Sequence, residues 1–219
     1  MILVKADSVS IAITHSKLSR ILKDTAKYKE EIIKDIGVFN PQGWMKFEKK
    51  LHHNILRASI LHTFNGIEIP VRTISQAKSK SILEFRGFES YTQKGQDLKN
   101  IFKDLQEQLF NGLVHRLDIC LDFKYKPYKV LKELERVRTP KQVGGTTYYK
   151  TQSENKKNNY FDIVYYDKKV VYRIEFRFKK SFIKNVTLEN IEKVFSRIEK
   201  TIRKYTKLTL KIKSPLCSE

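Results

Sequence analysis

The stretch "HRLDICLDF", residues 115–123, alternates Arg116, Asp118, Cys120 and Asp122 with Leu117, Ile119, Leu121 and Phe123. A period of two belongs to a β-strand with one apolar face. The other face then presents two carboxylates and a guanidinium on a rigid surface. The same parity splits "NYFDIVYYDK" into Phe161, Ile163 and Tyr165 against Tyr160, Asp162, Val164, Tyr166 and Lys168. It splits "VYRIEFRFKK" into Tyr172, Ile174, Phe176 and Phe178 against Arg173, Glu175, Arg177 and Lys179. If the three segments neighbour one another in one antiparallel sheet, Asp118 or Asp122, Glu175 and Tyr166 converge, because strands lie ~5 Å apart and consecutive ones are usually adjacent. Carboxylates gathered beside Lys and Arg suit a hard divalent cation, Mg²⁺ or Mn²⁺, held by a few protein oxygens and several waters. Such an ion polarises a scissile phosphate, and a tyrosine beside it can attack phosphorus and conserve the bond energy as a phosphotyrosine. The same residues also serve as plain ion pairs on a solvated sheet face.

Spacing limits the ligand set. Asp118 and Asp122 share a face but lie ~13 Å apart on an ideal strand, so one ion cannot use both without a bend. Asp118 is the expected ligand, and Asp122 supports the site from further out or partners a basic group. The adjacent His52 and His53 would point to opposite faces of a strand and could not chelate one ion there. Cys120 and Cys217 have neither CxxC nor Cys/His ligand spacing, so neither a zinc site nor a disulfide is expected.

These segments need a scaffold. Residues 1–14 read as a strand, and 16–36 as a helix closed by Asn40, Pro41 and Gly43. Asn65-Gly66 suits a tight hairpin turn between two apolar runs. "SILEFRGFESY" supplies a strand, and "GQDLKNIFKDLQEQLFNG" a helix with Leu98, Ile101, Phe102, Leu105 and Leu109 on one side, stopped by Gly112. A short helix follows Pro127, then the strands "GTTYYK", "NYFDIVYYDK" and "VYRIEFRFKK", a helix over about 188–205 and a last strand "KLTLKIK". The polar stretch "KTQSENKKNN", 150–159, reads as a mobile loop. The order predicts an α+β chain with a central antiparallel β-sheet, helices packed on one face and room for two similar α/β halves. We expect a single domain over 1–219, with 111–219 the catalytic half and 1–110 recognising DNA or completing the sheet.

Charge names the partner. The 219 residues carry 44 Lys and Arg against 24 Asp and Glu, a net +20, together with 13 Phe and 11 Tyr. So large a field of one sign, interleaved with aromatic rings, points to nucleic acid, although basic residues also merely solubilise a surface. No apolar run approaches the ~18 residues of a spanning helix, and "MILVKADSVSIAIT" lacks the basic start of a signal peptide. A cytoplasmic protein is expected, in a host cytoplasm if the source is viral, with no membrane partner.

The ordered segments "RLDICLDF", "GGTTYYK", "NYFDIVYYDKK" and "YRIEFRFKK" resemble the Rep_trans class of rolling-circle replication initiators, with related phage initiators and mobile-element relaxases. The family pattern falls on Arg116, Asp118 and Asp122, on Thr147 and Tyr149, on Tyr166, Asp167 and Lys168, and on Arg173, Glu175 and Arg177. The resemblance covers residues 112–182. It departs where the family has a Gly-Ser-x-x-Ser turn and this chain has "KTQSENKKNN". It implies a metal-dependent, site-specific DNA endonuclease that nicks one strand, holds the 5′ phosphate on tyrosine, frees a 3′ hydroxyl for replication and rejoins ends. On that reading Asp118, Glu175 and Asp122 serve the metal, Tyr166 attacks with Tyr160 as the alternative, and Lys168 and Arg177 contact the phosphate. Arg116, Tyr149, Lys150, Lys156, Lys157, Arg173, Lys179 and Lys180 bind DNA, single-stranded or as a hairpin origin. Tyr148, Tyr149 or Tyr160 would stack bases, and Lys193, Arg197, Lys200, Arg203 and Lys204 would follow the backbone. A host helicase or polymerase and a second copy of the chain are compatible partners. A catalytically silent DNA- or RNA-binding module and a metal-dependent nuclease using water remain the alternatives.

Overall fold

Every period-two segment of the C-terminal half forms a strand. A computed structural model describes residues 2–14, 16, 17, 20, 59–64, 67–74, 80–89, 93–151 and 160–213. The strands are β1 (Ile2–Thr14), β2 (Ser59–Phe64), β3 (Ile67–Ile74), β4 (Lys80–Arg86), β5 (Leu113–Phe123), β6 (Arg138–Val143), β7 (Thr146–Thr151), β8 (Phe161–Asp167), β9 (Tyr172–Lys179) and β10 (Leu210–Lys213). The helices are α1 (Gln93–Leu109), α2 (Tyr128–Glu135) and α3 (Phe195–Thr206), the last preceded by a 3₁₀ turn over Ile191–Val194. The protein is α+β with predominantly antiparallel sheet. Most of the expected helix over 16–36, His52, His53 and the Asn65-Gly66 turn lie outside the described residues.

The chain divides into two compact units, Met1–Val9 with Val114–Glu219, and Ser10–Leu113. The expected boundary near 110 thus falls between Leu113 and Val114, and the first nine residues join the C-terminal unit instead of the N-terminal one.

In the unit holding Val114–Glu219, strand order runs β1-β5-β9-β8-β7-β6, and β10 adds to β1 in parallel. One face is apolar: Leu117, Ile119, Leu121, Ile163, Ile174, Phe176 and Phe178 are all buried. Phe161 packs 5.4 Å from Phe178 and edge-on to Tyr205 of α3 at 5.3 Å, while Phe182 closes over Phe178 at 4.8 Å. Helix α3 lays Phe195, Ile198, Ile202 and Thr206 inward, the spacing of a single helical stripe, and α2 packs on it. Because helices and loop cover the apolar side, the charged residues of β5, β8 and β9 project from the other.

The edge strand β6 has no alternation, and all but Arg138 of its residues are exposed. Pro140 is tolerated because an edge strand has hydrogen-bonding positions that face no partner. Gly144, at φ +57° in the two-residue link to β7, adopts a left-handed conformation that glycine reaches without steric cost.

In the unit Ser10–Leu113, β2 pairs with β3 so that Phe64 faces Ile67, and β3 pairs with β4. Helix α1 buries Leu98, Phe102, Leu105 and Leu109, and Phe102 meets Phe85 edge-on at 4.9 Å. Gly112 ends the helix, its N–H donating to the Leu109 carbonyl at 2.7 Å. A Cβ there would stand 2.3 Å from Ile11 Cγ2 and 2.9 Å from the Leu109 oxygen. Gly112→Ala is therefore expected to lower stability by about 1–3 kcal/mol, the range for overpacking, measured as a shift in the denaturation midpoint. Among the described residues no helix is long and apolar enough to cross a membrane.

Candidate functional site

Register decides which side chains meet. Across β5 and β9, Asp118 faces Arg177, Cys120 faces Glu175 and Asp122 faces Arg173. Across β9 and β8, Arg177 faces Asp162, Glu175 faces Val164 and Arg173 faces Tyr166. The polar face is thus a ladder of rows, with acids and cations interleaved along and across the strands.

Glu175 is the hub of one cluster. Tyr166 Oη donates to Glu175 Oε2 at 2.8 Å, and Arg177 Nε donates to Oε1 at 2.8 Å. Beside it, Arg116 grips both oxygens of Asp118, Nε to Oδ1 at 2.7 Å and Nη2 to Oδ2 at 2.6 Å, and the same Nη2 reaches Glu175 Oε1 at 3.9 Å. Both carboxylates are buried, while Arg116 and Arg177 are partly exposed. Lys168 lies over the Tyr166 ring with its Nζ 5.7 Å from the centroid.

Burial sets the proton affinities. Removal from water pushes the Asp118 carboxyl up to about 7 despite the Arg116 fork, with the Glu175 charge adding to the rise. Burial also works to raise Glu175, but Arg177 outweighs it and holds that carboxyl below its ordinary value. The Tyr166 phenol is raised far above its ordinary value by burial and then by Glu175. At neutral pH Tyr166 is a phenol hydrogen-bonded to a carboxylate.

The Asp118 shift has a consequence for stability. A carboxyl whose pKa rises from 3.8 to about 7 on folding contributes stability that is complete below about pH 4 and is lost as pH climbs through about 7. Asp118→Asn, which does not titrate, is expected to match the wild type near pH 4. At pH 8 it should be more stable by on the order of 4 kcal/mol, read from chemical denaturation at the two pH values.

A second cluster is built on Arg173, which is fully buried. Its Nε and Nη2 each donate to an Asp122 oxygen at 2.6 Å, and Nη1 donates to Asp7 Oδ1 of β1 at 2.9 Å. This overturns two expectations. Arg173 does not bind DNA, because its guanidinium is inside the protein and turned to two carboxylates. Asp122 does not join the Asp118–Glu175 pair, because both its oxygens belong to Arg173, in keeping with its expected service to a basic group.

Other expected site residues divide similarly. Tyr149 pairs with Ile163 on the apolar side and is buried, its phenol pushed up to about 12 by burial and by Glu135, so it cannot stack bases. Tyr148, opposite Val164, is on the Glu175 face and half-buried. Tyr160 is exposed just before β8, and its carbonyl accepts the Lys179 N–H at 2.9 Å; Tyr166, not Tyr160, is the phenol brought to Glu175. Lys179 pairs with Asp162 at 2.9 Å, whereas Lys180 is exposed. Lys150 stands in β7 opposite Thr139. Lys156 and Lys157 lie outside the described residues. Lys193, Arg197, Lys200, Arg203 and Lys204 are all on the surface, with Arg197 donating to the Phe182 carbonyl.

Two participants escaped the sequence reading. Asp7 belongs to a strand buried on both faces and shares the parity of Val9, Ile11 and Ile13, so the pattern does not mark it as part of a charged cluster. Arg138, nearly fully buried, stacks on Phe161 at 4.5 Å and on Tyr205 at 5.1 Å and donates to the Tyr149 carbonyl. Both would have needed the strand order.

Among the described residues no group of three or more His, Cys, Asp or Glu is placed to hold one ion. The donor chemistry still fits a small divalent cation, which binds protein through one or two carboxylates and keeps much of its water. Asp118 and Glu175 are two hard oxygen donors, close enough that the charge of one raises the proton affinity of the other. No family model matches the chain, and neither a curated protein nor a solved structure matches it.

Proposed function

We propose that the protein cleaves and rejoins one strand of DNA through a covalent tyrosine intermediate, as a replication initiator or relaxase. The observation that carries this reading is the 2.8 Å hydrogen bond from Tyr166 to Glu175, with Asp118 alongside and Arg116, Arg177 and Lys168 around it. Glu175 Oε2 is positioned to take the phenolic proton as Tyr166 Oη attacks phosphorus. The Oη–P bond forms as the P–O3′ bond breaks, leaving the 5′ phosphate on Tyr166 and, once protonated by solvent, a free 3′ hydroxyl. Attack by a 3′ hydroxyl reverses the step and rejoins the ends. Arg177 and Lys168 would meet the charge on the phosphoryl oxygens. Asp118 and Glu175 would hold Mg²⁺ or Mn²⁺, which when bound supplies Lewis-acid polarisation of the phosphate.

One observation favours a second reading. Each of the two carboxylates is already paired with a guanidinium, Asp118 with Arg116 and Glu175 with Arg177, which is what a catalytically silent nucleic-acid-binding module would need for stability alone. Incubation with labelled single-stranded DNA and Mn²⁺, followed by a denaturing gel, separates the readings. A protein–DNA adduct supports tyrosine chemistry. Cleavage without adduct assigns a water-using nuclease, and binding without cleavage assigns the silent module.

A further inference from the structure

The segment "KYKPYK", Lys124 to Lys129, joins β5 to α2 and takes no part in the clusters above. Its two tyrosines are the most exposed rings among the described residues, Tyr125 at 74% and Tyr128 at 69%. Neither contributes to the core. Lysines flank them at 124, 126 and 129, and two stand over the rings, Lys124 Nζ 5.5 Å from the Tyr125 centroid and Lys126 Nζ 5.2 Å from that of Tyr128. Pro127 sits between the rings at the N-terminus of α2, and its fixed φ limits their relative motion.

Exposed rings alternating with cations are the means by which proteins hold unpaired bases: each base has a face to stack, and the phosphate between bases needs a positive charge. A duplex hides its base faces and offers little to such a ring, and an acidic peptide has no use for two rings. Lys124 follows Phe123, one residue beyond Asp122; Asp122 faces Arg173, and Arg173 faces Tyr166. In the plane of the sheet two strand spacings, ~10 Å, separate that row from Tyr166, and Tyr128 opens α2 on the helix-covered side, where it acts on Tyr165 and not on the Tyr166 phenol of the opposite face.

We infer that Tyr125 and Tyr128, with Lys124, Lys126 and Lys129, form a stacking subsite for single-stranded DNA. That the strand is DNA rests on the function proposed above, whereas the subsite's affinity for unpaired bases does not.

Fluorescence anisotropy of a labelled oligothymidylate, with the full chain, tests it. The double substitution Tyr125→Ala and Tyr128→Ala is expected to weaken oligothymidylate binding by at least about tenfold, while duplex DNA affinity stays within about threefold. The double substitution to Phe keeps both rings and should bind within about twofold of wild type. Wild-type affinity in the double Ala variant overturns the subsite, as does equal loss in the double Phe variant. Preference for oligouridylate by more than about tenfold assigns the surface to RNA and overturns the DNA assignment. Assaying adduct formation on the same proteins keeps the two conclusions apart. Ring-dependent oligothymidylate binding with no adduct from wild type upholds the subsite and rejects the tyrosine chemistry; an adduct with no ring dependence does the reverse.

Discussion

Tyr166→Phe is expected to abolish the covalent protein–DNA adduct while leaving oligonucleotide affinity within about twofold of wild type, since it removes the attacking oxygen and nothing else. The ring remains, and with it the surface on which Lys168 lies. Glu175 loses one donor but keeps the Arg177 Nε at 2.8 Å, so it is not left buried and unpaired. The folding cost should therefore stay near the ~1 kcal/mol of a single hydrogen bond. Tyr160→Phe is the control. Tyr160 is exposed and lies six residues from Tyr166, roughly 20 Å along an extended chain, so its loss should leave the adduct untouched. An adduct that persists in Tyr166→Phe and vanishes in Tyr160→Phe would move the nucleophile to the other end of β8 and leave the Tyr166–Glu175 hydrogen bond without a catalytic role.

The polar faces of β5, β8 and β9 were legible because each strand sets apolar residues on one side and mostly polar ones on the other, so period two in the sequence is period two in space. That parity identifies a side chain's face but not its depth. Arg173 and Arg177 sit on the same face four residues apart, yet Arg173 is fully buried between Asp122 and Asp7 while Arg177 keeps contact with solvent. The difference comes from β1, which neighbours β5 and brings Asp7 to Arg173, a relation between residues 166 apart in sequence. Strand β1 alternates Val9, Ile11 and Ile13 with Ser8, Ser10 and Ala12, and Asp7 falls on the parity of its apolar residues, so the pattern does not join it to a charged face. Tyr148 and Tyr149 stood as alternatives for the same reason: adjacent residues take opposite faces, and only the register of Tyr149 against Ile163 shows which one packs inward. Strand β6 was invisible because its only buried residue is an arginine, and Pro140 argues against a strand anywhere but at an edge.

Asp122→Ala is expected to be the most destabilising single substitution at the polar face. It deletes both charge-assisted hydrogen bonds that Asp122 accepts from a buried guanidinium, which keeps its bond to Asp7. Breaking one side of a buried ion pair costs about 3–5 kcal/mol, which for a chain of this length lowers the melting temperature by roughly 10–15 °C. Arg173→Met should also destabilise, for the opposite reason, because it takes the guanidinium from the buried Asp7, while Asp122 keeps contact with solvent. Arg173→Lys should not rescue, since one ammonium cannot reproduce the fork to Asp122 and the third bond to Asp7 together. Combining Asp122→Ala with Arg173→Met removes a cation and an anion at once, so the double variant should be markedly more stable than the sum of the singles, a coupling measurable by a double-mutant cycle. Single substitutions that each shift stability by less than about 0.5 kcal/mol, the scale of an ordinary surface change, would show that the clamp is solvated in solution. Arg173 faces Tyr166 across the β8–β9 ladder, so loosening it also frees the strand that aims the phenol at Glu175. A misplacement of about 1 Å is enough to slow a positioned attack by around a hundredfold, and the adduct rate should fall even at temperatures where the variant remains folded.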